Sequence, residues 1–192
     1  MHRIKAGRHA DDRLLSSQIH LRARRMERRV VFHPDCRYTL PAYHAQNVNK
    51  LFGLSYGLLP HRTATGWDWP GHWNSARFGW FYDAVSDDIV LVAYCYINGR
   101  KNWNDQLVYP EVARIRILQP VGCLLERDSI GYFFRVYVPD TGIVLGSYLE
   151  PIINESIPSY GLTHSLYFGG AQPATQNMRV EITPLPSLFL PA

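Results

Sequence analysis

Residues 75–97 constrain this chain more than any other stretch. Over 75–82 the side chains alternate, with Ala76, Phe78, Trp80 and Tyr82 on one face and Ser75, Arg77, Gly79 and Phe81 on the other. A period of two belongs to an extended strand. A turn at Ser86-Asp87-Asp88 follows, and residues 89–97 are then apolar on both faces. Ile89, Leu91, Ala93, Cys95 and Ile97 form one face, and Val90, Val92, Tyr94 and Tyr96 the other. A short apolar run between turn signals suits a fully covered central strand. Asn98-Gly99 ends it with a residue pair suited to a tight hairpin turn.

Strand-like runs continue on both sides of this hairpin. They are expected at 30–33, 51–56, 112–118, 121–127, 131–138, 143–148, 165–168 and 178–183, each bounded by Gly, Pro, Asn or Asp. Turn signals recur at roughly the 8–12-residue spacing of an all-β sandwich or barrel. No helical period is sustained over the same region. The 57–73 segment, with Pro60, Gly66, Pro70 and the tryptophans Trp67, Trp69 and Trp73, is expected to be a long loop, a kind of loop that is often functional.

Composition bounds the rest. A chain of 192 residues, 46% hydrophobic, with 12 Tyr, 8 Phe and 5 Trp, has apolar area for one core and is short for two. It contains no apolar run of the ~18 residues a membrane helix needs. With no signal-type apolar segment either, a cytoplasmic location is the default expectation. Cys36, Cys95 and Cys123 are odd in number and widely spaced, which predicts buried free thiols rather than disulfides or a thiolate metal site.

The net charge of +4 is unevenly spread. Residues 1–29 carry nine Lys/Arg against Asp11, Asp12 and Glu27, a net of +6, and the remaining residues carry 11 basic and 13 acidic groups, a net of −2. The division predicts a basic N-terminal arm over 1–29, disordered or a short helix, and available to an acidic partner. Met26-Glu27-Arg28-Arg29 leads straight into the first predicted strand, so a late start is a further expectation. A β-sandwich domain over 30–183 and a Pro-rich extended tail over 184–192 complete the division. The body shows no basic stripe of the kind nucleic acid requires.

Two stretches carry a resemblance. His72-Trp73-Asn74-Ser75-Ala76-Arg77-Phe78-Gly79-Trp80 with Ala93-Tyr94-Cys95-Tyr96-Ile97-Asn98-Gly99, and Leu166-Tyr167-Phe168-Gly169-Gly170-Ala171-Gln172-Pro173-Ala174 running into 178–182, resemble a group of small uncharacterised bacterial proteins. The resemblance spans roughly residues 30–183 and implies a two-sheet antiparallel jelly-roll, concanavalin-like sandwich. It implies no activity, since the same architecture hosts lectins, binding modules, glycosidases and lyases.

Candidate chemistry centres on the strand face holding Ser75 and Arg77, with Tyr94, Tyr96 and Tyr167. An arginine among aromatic residues on a covered face has two readings. It points into a groove and binds an acidic or hydroxyl group, or it pairs with a buried acid or a backbone carbonyl and fixes strand register. His72 and Asn74 lie at the mouth of the same strand and are the expected rim donors. The tryptophan loop either stacks on sugar rings or caps the sandwich.

The leading expectation is a non-catalytic module binding a glycan or another small polar or anionic ligand through His72, Asn74, Arg77, Tyr94, Tyr96 and Tyr167. A polysaccharide lyase using the same groove is an alternative, because Arg, Asn, His and Tyr are the residue types that β-elimination needs. Gln18-Ile19-His20 and Tyr167-Phe168 match fragments of jelly-roll lyase strands, but the first lies in the basic leader. A structural or assembly protein is the third reading. Acids fall mostly at turns, which argues against paired-carboxylate hydrolysis. His33, His44, His61 and His72 lack metal-ligand spacing, and no phosphate-cradling glycine loop is present. No metal or cofactor is therefore expected.

Overall fold

The computed structural model describes residues 1–12, 17–40, 48–63, 66–68, 70–104, 106, 108–152, 156–169 and 172–185, with the side chains of residues 61, 63, 68 and 70 outside that description. The described residues form fifteen strands. In chain order they are β1 His2–Ile4, β2 Ser17–His20, β3 Arg25–Phe32, β4 Asn49–Tyr56, β5 His61–Thr63, β6 Gly66–Asp68, β7 Ser75–Asp83 and β8 Asp88–Ile97. There follow β9 Arg100–Lys101, β10 Glu111–Arg116, β11 Val121–Arg127, β12 Gly131–Tyr137, β13 Val144–Pro151, β14 Gly161–His164 and β15 Met178–Pro184. They form a six-stranded sheet, β1-β15-β3-β11-β12-β13, and a second sheet, β10-β8-β7-β4-β14-β2, with β9 beside β8. The pairings within both sheets are antiparallel. The expected all-β two-sheet sandwich is the architecture found.

The period-two pattern explains the layering. Ala76, Phe78 and Trp80 of β7 and Ile89, Leu91, Ala93 and Cys95 of β8 face inward. They meet Val30 and Phe32 of β3, Val121, Cys123 and Leu125 of β11, and Phe134 and Val136 of β12. The sheets interlock through aromatic pairs: Phe78 with Phe134 at 5.0 Å and Phe32 with Trp80 at 4.9 Å between ring centroids. Each large side chain buried here contributes about 1.5–3 kcal/mol. Cys36, Cys95 and Cys123 are buried free thiols, and burial pushes the Cys36 thiol up to about 12. Asn98 and Gly99 both take positive φ, 47° and 76°, and turn β8 into β9.

The N-terminal expectation is corrected. Residues 1–29 are not an arm: β1 pairs with β15, β2 pairs with β14, and β3 opens within them as a central strand of the first sheet. Of the basic side chains that suggested an arm, Arg3 sits on β1 and Arg25, Arg28 and Arg29 sit on β3. Arg25 bridges Glu27 and Glu126, for example, so local acids answer part of the charge. The long loop expected over 57–73 contains the small β5–β6 hairpin and a short 3-10 turn at Pro70–His72. Of the expected 165–168 strand only Tyr167 forms ladder contacts, and the strand proper is β14, four residues earlier. In the expected tail, β15 reaches Pro184, and residues 186–192 lie outside the described residues.

Candidate functional site

The inward pattern of β7 and β8 leaves the opposite face of the second sheet to a different set of side chains. Register aligns His164 of β14, Gly53 of β4, Arg77 of β7 and Tyr94 of β8 in one row across four strands. A β-bulge between Lys50 and Phe52 turns Lys50 toward the same outer face. There a cavity of about 420 Å³ is lined by Lys50, His72, Arg77, Tyr94, Tyr96, Tyr167 and Gly169. The structure thus brings together five of the six residues expected from sequence.

The sixth, Asn74, does not line the cavity. It is buried, its Nδ2 donates to Asn98 Oδ1 (3.1 Å), and its Oδ1 accepts from the Asn98 N–H (2.9 Å). This amide ties the start of β7 to the turn after β8, so the expected rim role is corrected to a structural one. His33 is paired with Glu181 at 2.9 Å. His44 and Trp69 lie outside the described residues, as does the side chain of His61. Among the described residues no three His, Cys, Asp or Glu side chains gather as a metal site. Gln18-Ile19-His20 belongs to β2, where His20 Nε2 bonds to the Ser55 carbonyl. Trp67 is exposed on the small hairpin, while Trp73 packs over Gly99.

Arg77 forms the floor. Glycines make room for it: a Cβ on Gly53 would stand 2.6 Å from Arg77 Cα and 2.7 Å from Cγ, and a Cβ on Gly71 would overlap its Nη2. Its Nη2 donates to His164 Nε2 at 3.5 Å, and its Nε is buried with no partner. Among the described residues Arg77 makes no ion pair, so the reading in which a buried acid neutralises it does not hold there. Burial accordingly lowers its pKa.

His164 is held neutral. Burial first, then Arg77 and His20, bring its pKa down to about 2. Because a guanidinium only donates, the Nε2 that faces Arg77 is the unprotonated nitrogen. Nε2 also lies 2.8 Å from Ser55 Oγ, and Nδ1–H donates to Ser17 Oγ at 3.3 Å.

Lys50 is the second cation. Its Nζ donates to the Val48 carbonyl at 2.9 Å and the Gly169 carbonyl at 3.4 Å, and stands 4.7 Å from the Tyr94 ring centroid. Burial, with Arg77 beside it, depresses its pKa to about 8. Gly169 is fixed with φ 70° by its N–H to Asn49 Oδ1 (2.5 Å).

Aromatic pairs wall the cavity. His72 lies against Tyr96 at 5.4 Å, and Tyr167 stacks on His9 at 5.4 Å. Tyr94 stacks on Trp103 at 4.3 Å and meets the Tyr96 hydroxyl at 3.5 Å. Burial pushes the Tyr94 hydroxyl pKa far up, so it stays protonated. Asn102 anchors the loop carrying Trp103 through the Cys95 N–H and the Ala93 carbonyl. Tyr167 exchanges both backbone bonds with Lys50, 2.8 Å each, and bridges Ala10 on its other side. The N-terminal segment therefore braces one wall.

Sequence reading missed Lys50 and His164. For Lys50, unbroken alternation from Gly53 would put it on the inner face, and only the bulge turns it outward. For His164, the register that sets it beside Arg77 depends on a pairing between strands more than 80 residues apart. A larger cavity, about 570 Å³, is formed by Lys5 and Gly7 through Asp12. There Asp11 and Asp12 offset Lys5 and Arg8, so it carries no comparable excess of charge.

No protein-family model matches the chain, and no curated protein is significantly similar to it. Several solved structures are distantly similar to it. They include the enzymatically active domain of bacteriophage CBA120 tailspike protein 2 (12% identity, 89% of this chain and 24% of that chain, TM-score 0.45). The CBM2 module of the evolved Dit of Lactobacillus casei BL23 phage J-1 is similar at 14% identity, over 86% of this chain and 66% of that one, TM-score 0.42. The carbohydrate-binding module CBM66 from Bacillus subtilis follows at 12%, 87% and 84%, TM-score 0.32. The chain spans about a quarter of the tailspike chain it resembles. Likeness this distant leaves function to be argued from the site.

Proposed function

We propose that this protein is a binding module for an anionic ligand of the acidic-glycan class, held in the cavity on the outer face of the second sheet. One observation carries the reading: Arg77 and Lys50 face one cavity whose lining residues include no carboxylate. A buried cation without a counter-ion is costly, and an incoming acid group would meet the donors that are present. The guanidinium offers a planar fork for a carboxylate. Tyr96, Tyr167 and His72 supply faces for a sugar ring and polar tips for its hydroxyls.

The test is calorimetric titration of the full chain with uronate oligosaccharides and their neutral counterparts. Selective binding of the acidic series, lost in Arg77→Ala and in Lys50→Met, is the expected result. Equal binding of both series, or binding indifferent to both substitutions, would overturn it.

A further inference from the structure

The surroundings of Lys50 do more than supply charge. An ammonium that only attracts anions is ordinarily held by an acid or left to water. Lys50 Nζ has neither an ion pair nor a nearby acid among the described residues, and meets two backbone carbonyls, of Val48 and Gly169. The two carbonyls take two N–H bonds, and the third neighbour is the Tyr94 ring, 4.7 Å away at its centroid. A ring face draws an ammonium, while burial first, and Arg77 beside it, shift the balance toward the lone pair. A lysine desolvated next to another cation is the arrangement that makes an amine nucleophilic at neutral pH.

Resting on the anion-binding reading above, we infer that Lys50 condenses with the carbonyl of a 2-oxo carboxylate whose acid group is held by Arg77. The Nζ lone pair attacks the carbonyl carbon, the C=O π bond opens to a carbinolamine, and the hydroxyl departs with a proton as water. Amine and ketone become imine and water, with no oxidant or reductant consumed. Burial keeps the Tyr94 hydroxyl protonated, so it donates to the departing oxygen instead of competing as an anion.

The chain makes the experiment clean, because Lys5 and Lys101 are the only other lysines. The full chain is incubated with pyruvate and cyanoborohydride, which reduces an imine to a stable secondary amine, and the modified residue is located by peptide mass. The expected result is an adduct concentrated on Lys50, with a rate that rises with pH through about 8. Replacing pyruvate by its neutral amide, or Arg77 by Met, should weaken labelling by roughly tenfold or more, the loss of a charged hydrogen bond. An adduct shared evenly among the three lysines, or none on Lys50, overturns the inference. The wild-type map decides this even if a variant fails to fold. Thermal shift with pyruvate and no reductant separates the two readings. Stabilisation without a Lys50 adduct, or neither effect, defeats imine formation, while the anion-binding reading stands or falls by the uronate titration.

Discussion

Nη2 of Arg77 lies 3.5 Å from Nε2 of His164, and that neutral imidazole is the guanidinium's hydrogen-bond partner among the described residues. An arginine so placed is kept at a cost to stability. Replacing it with Met, which fills similar space without charge, should stabilise the folded protein by on the order of 1–3 kcal/mol. Urea denaturation of both forms checks this. A destabilised Arg77→Met would show that the guanidinium holds the sheet together instead of serving a ligand.

His164 makes stability depend on acid. The unfolded chain takes up a proton on this residue near 6.5, the folded chain only near 2. Its contribution is therefore complete above about 6.5 and falls as the pH drops below that value, by up to about 1.4 kcal/mol per pH unit. His20, also lowered by burial, acts in the same direction. The urea midpoint should fall between about pH 7 and about pH 4.5, and less steeply in His164→Asn.

Gly53 and Gly71 leave the space Arg77 occupies. Gly53→Ala should cost about 1–3 kcal/mol through overpacking against the Arg77 backbone and side chain, and should weaken ligand binding by displacing the guanidinium. Paired thermal melts and titrations of this variant distinguish a shifted site from a merely weakened fold.

Shortening the chain to residues 30–192 removes β1 and β2 and cuts β3 partway along its length. This chain should lose its cooperative thermal transition, because β11 keeps only its Val121–Val30 pair with β3, and β15 loses its end of that ladder together with β1. Deleting only residues 1–12 is the finer test. It takes away β1 and the bridge from Ala10 to Tyr167, so binding should weaken more than the melting temperature alone explains.

The site was readable in the sequence where alternation was unbroken. The faces of β7 and β8 follow directly from residues 75–82 and 89–97, and they placed Arg77, Tyr94 and Tyr96 on one side. Asn74 was misread because a polar residue at a strand mouth looks the same whether it faces a ligand or a neighbouring turn, and only the Asn98 partnership distinguishes them. The N-terminal strands were hidden for another reason. His2–Ile4 and Ser17–His20 are three- and four-residue sheet-edge strands, too short for a period of two to register. Their stability comes from β15 and β14, far along the chain, while local composition is dominated by Arg.

The pairing of β1 with β15 sets an order of events in the cell. His2 sits opposite Val180, so β1 leaves the ribosome long before the strand it pairs with. At roughly 5–20 residues per second that interval is about 9 to 36 seconds. During it the edges of β3 and the apolar residues later covered by β15 stay open to other chains. Folding yield, more than final stability, is thus where this protein is exposed, and a chaperone that shelters the nascent N-terminal strands would act on that interval.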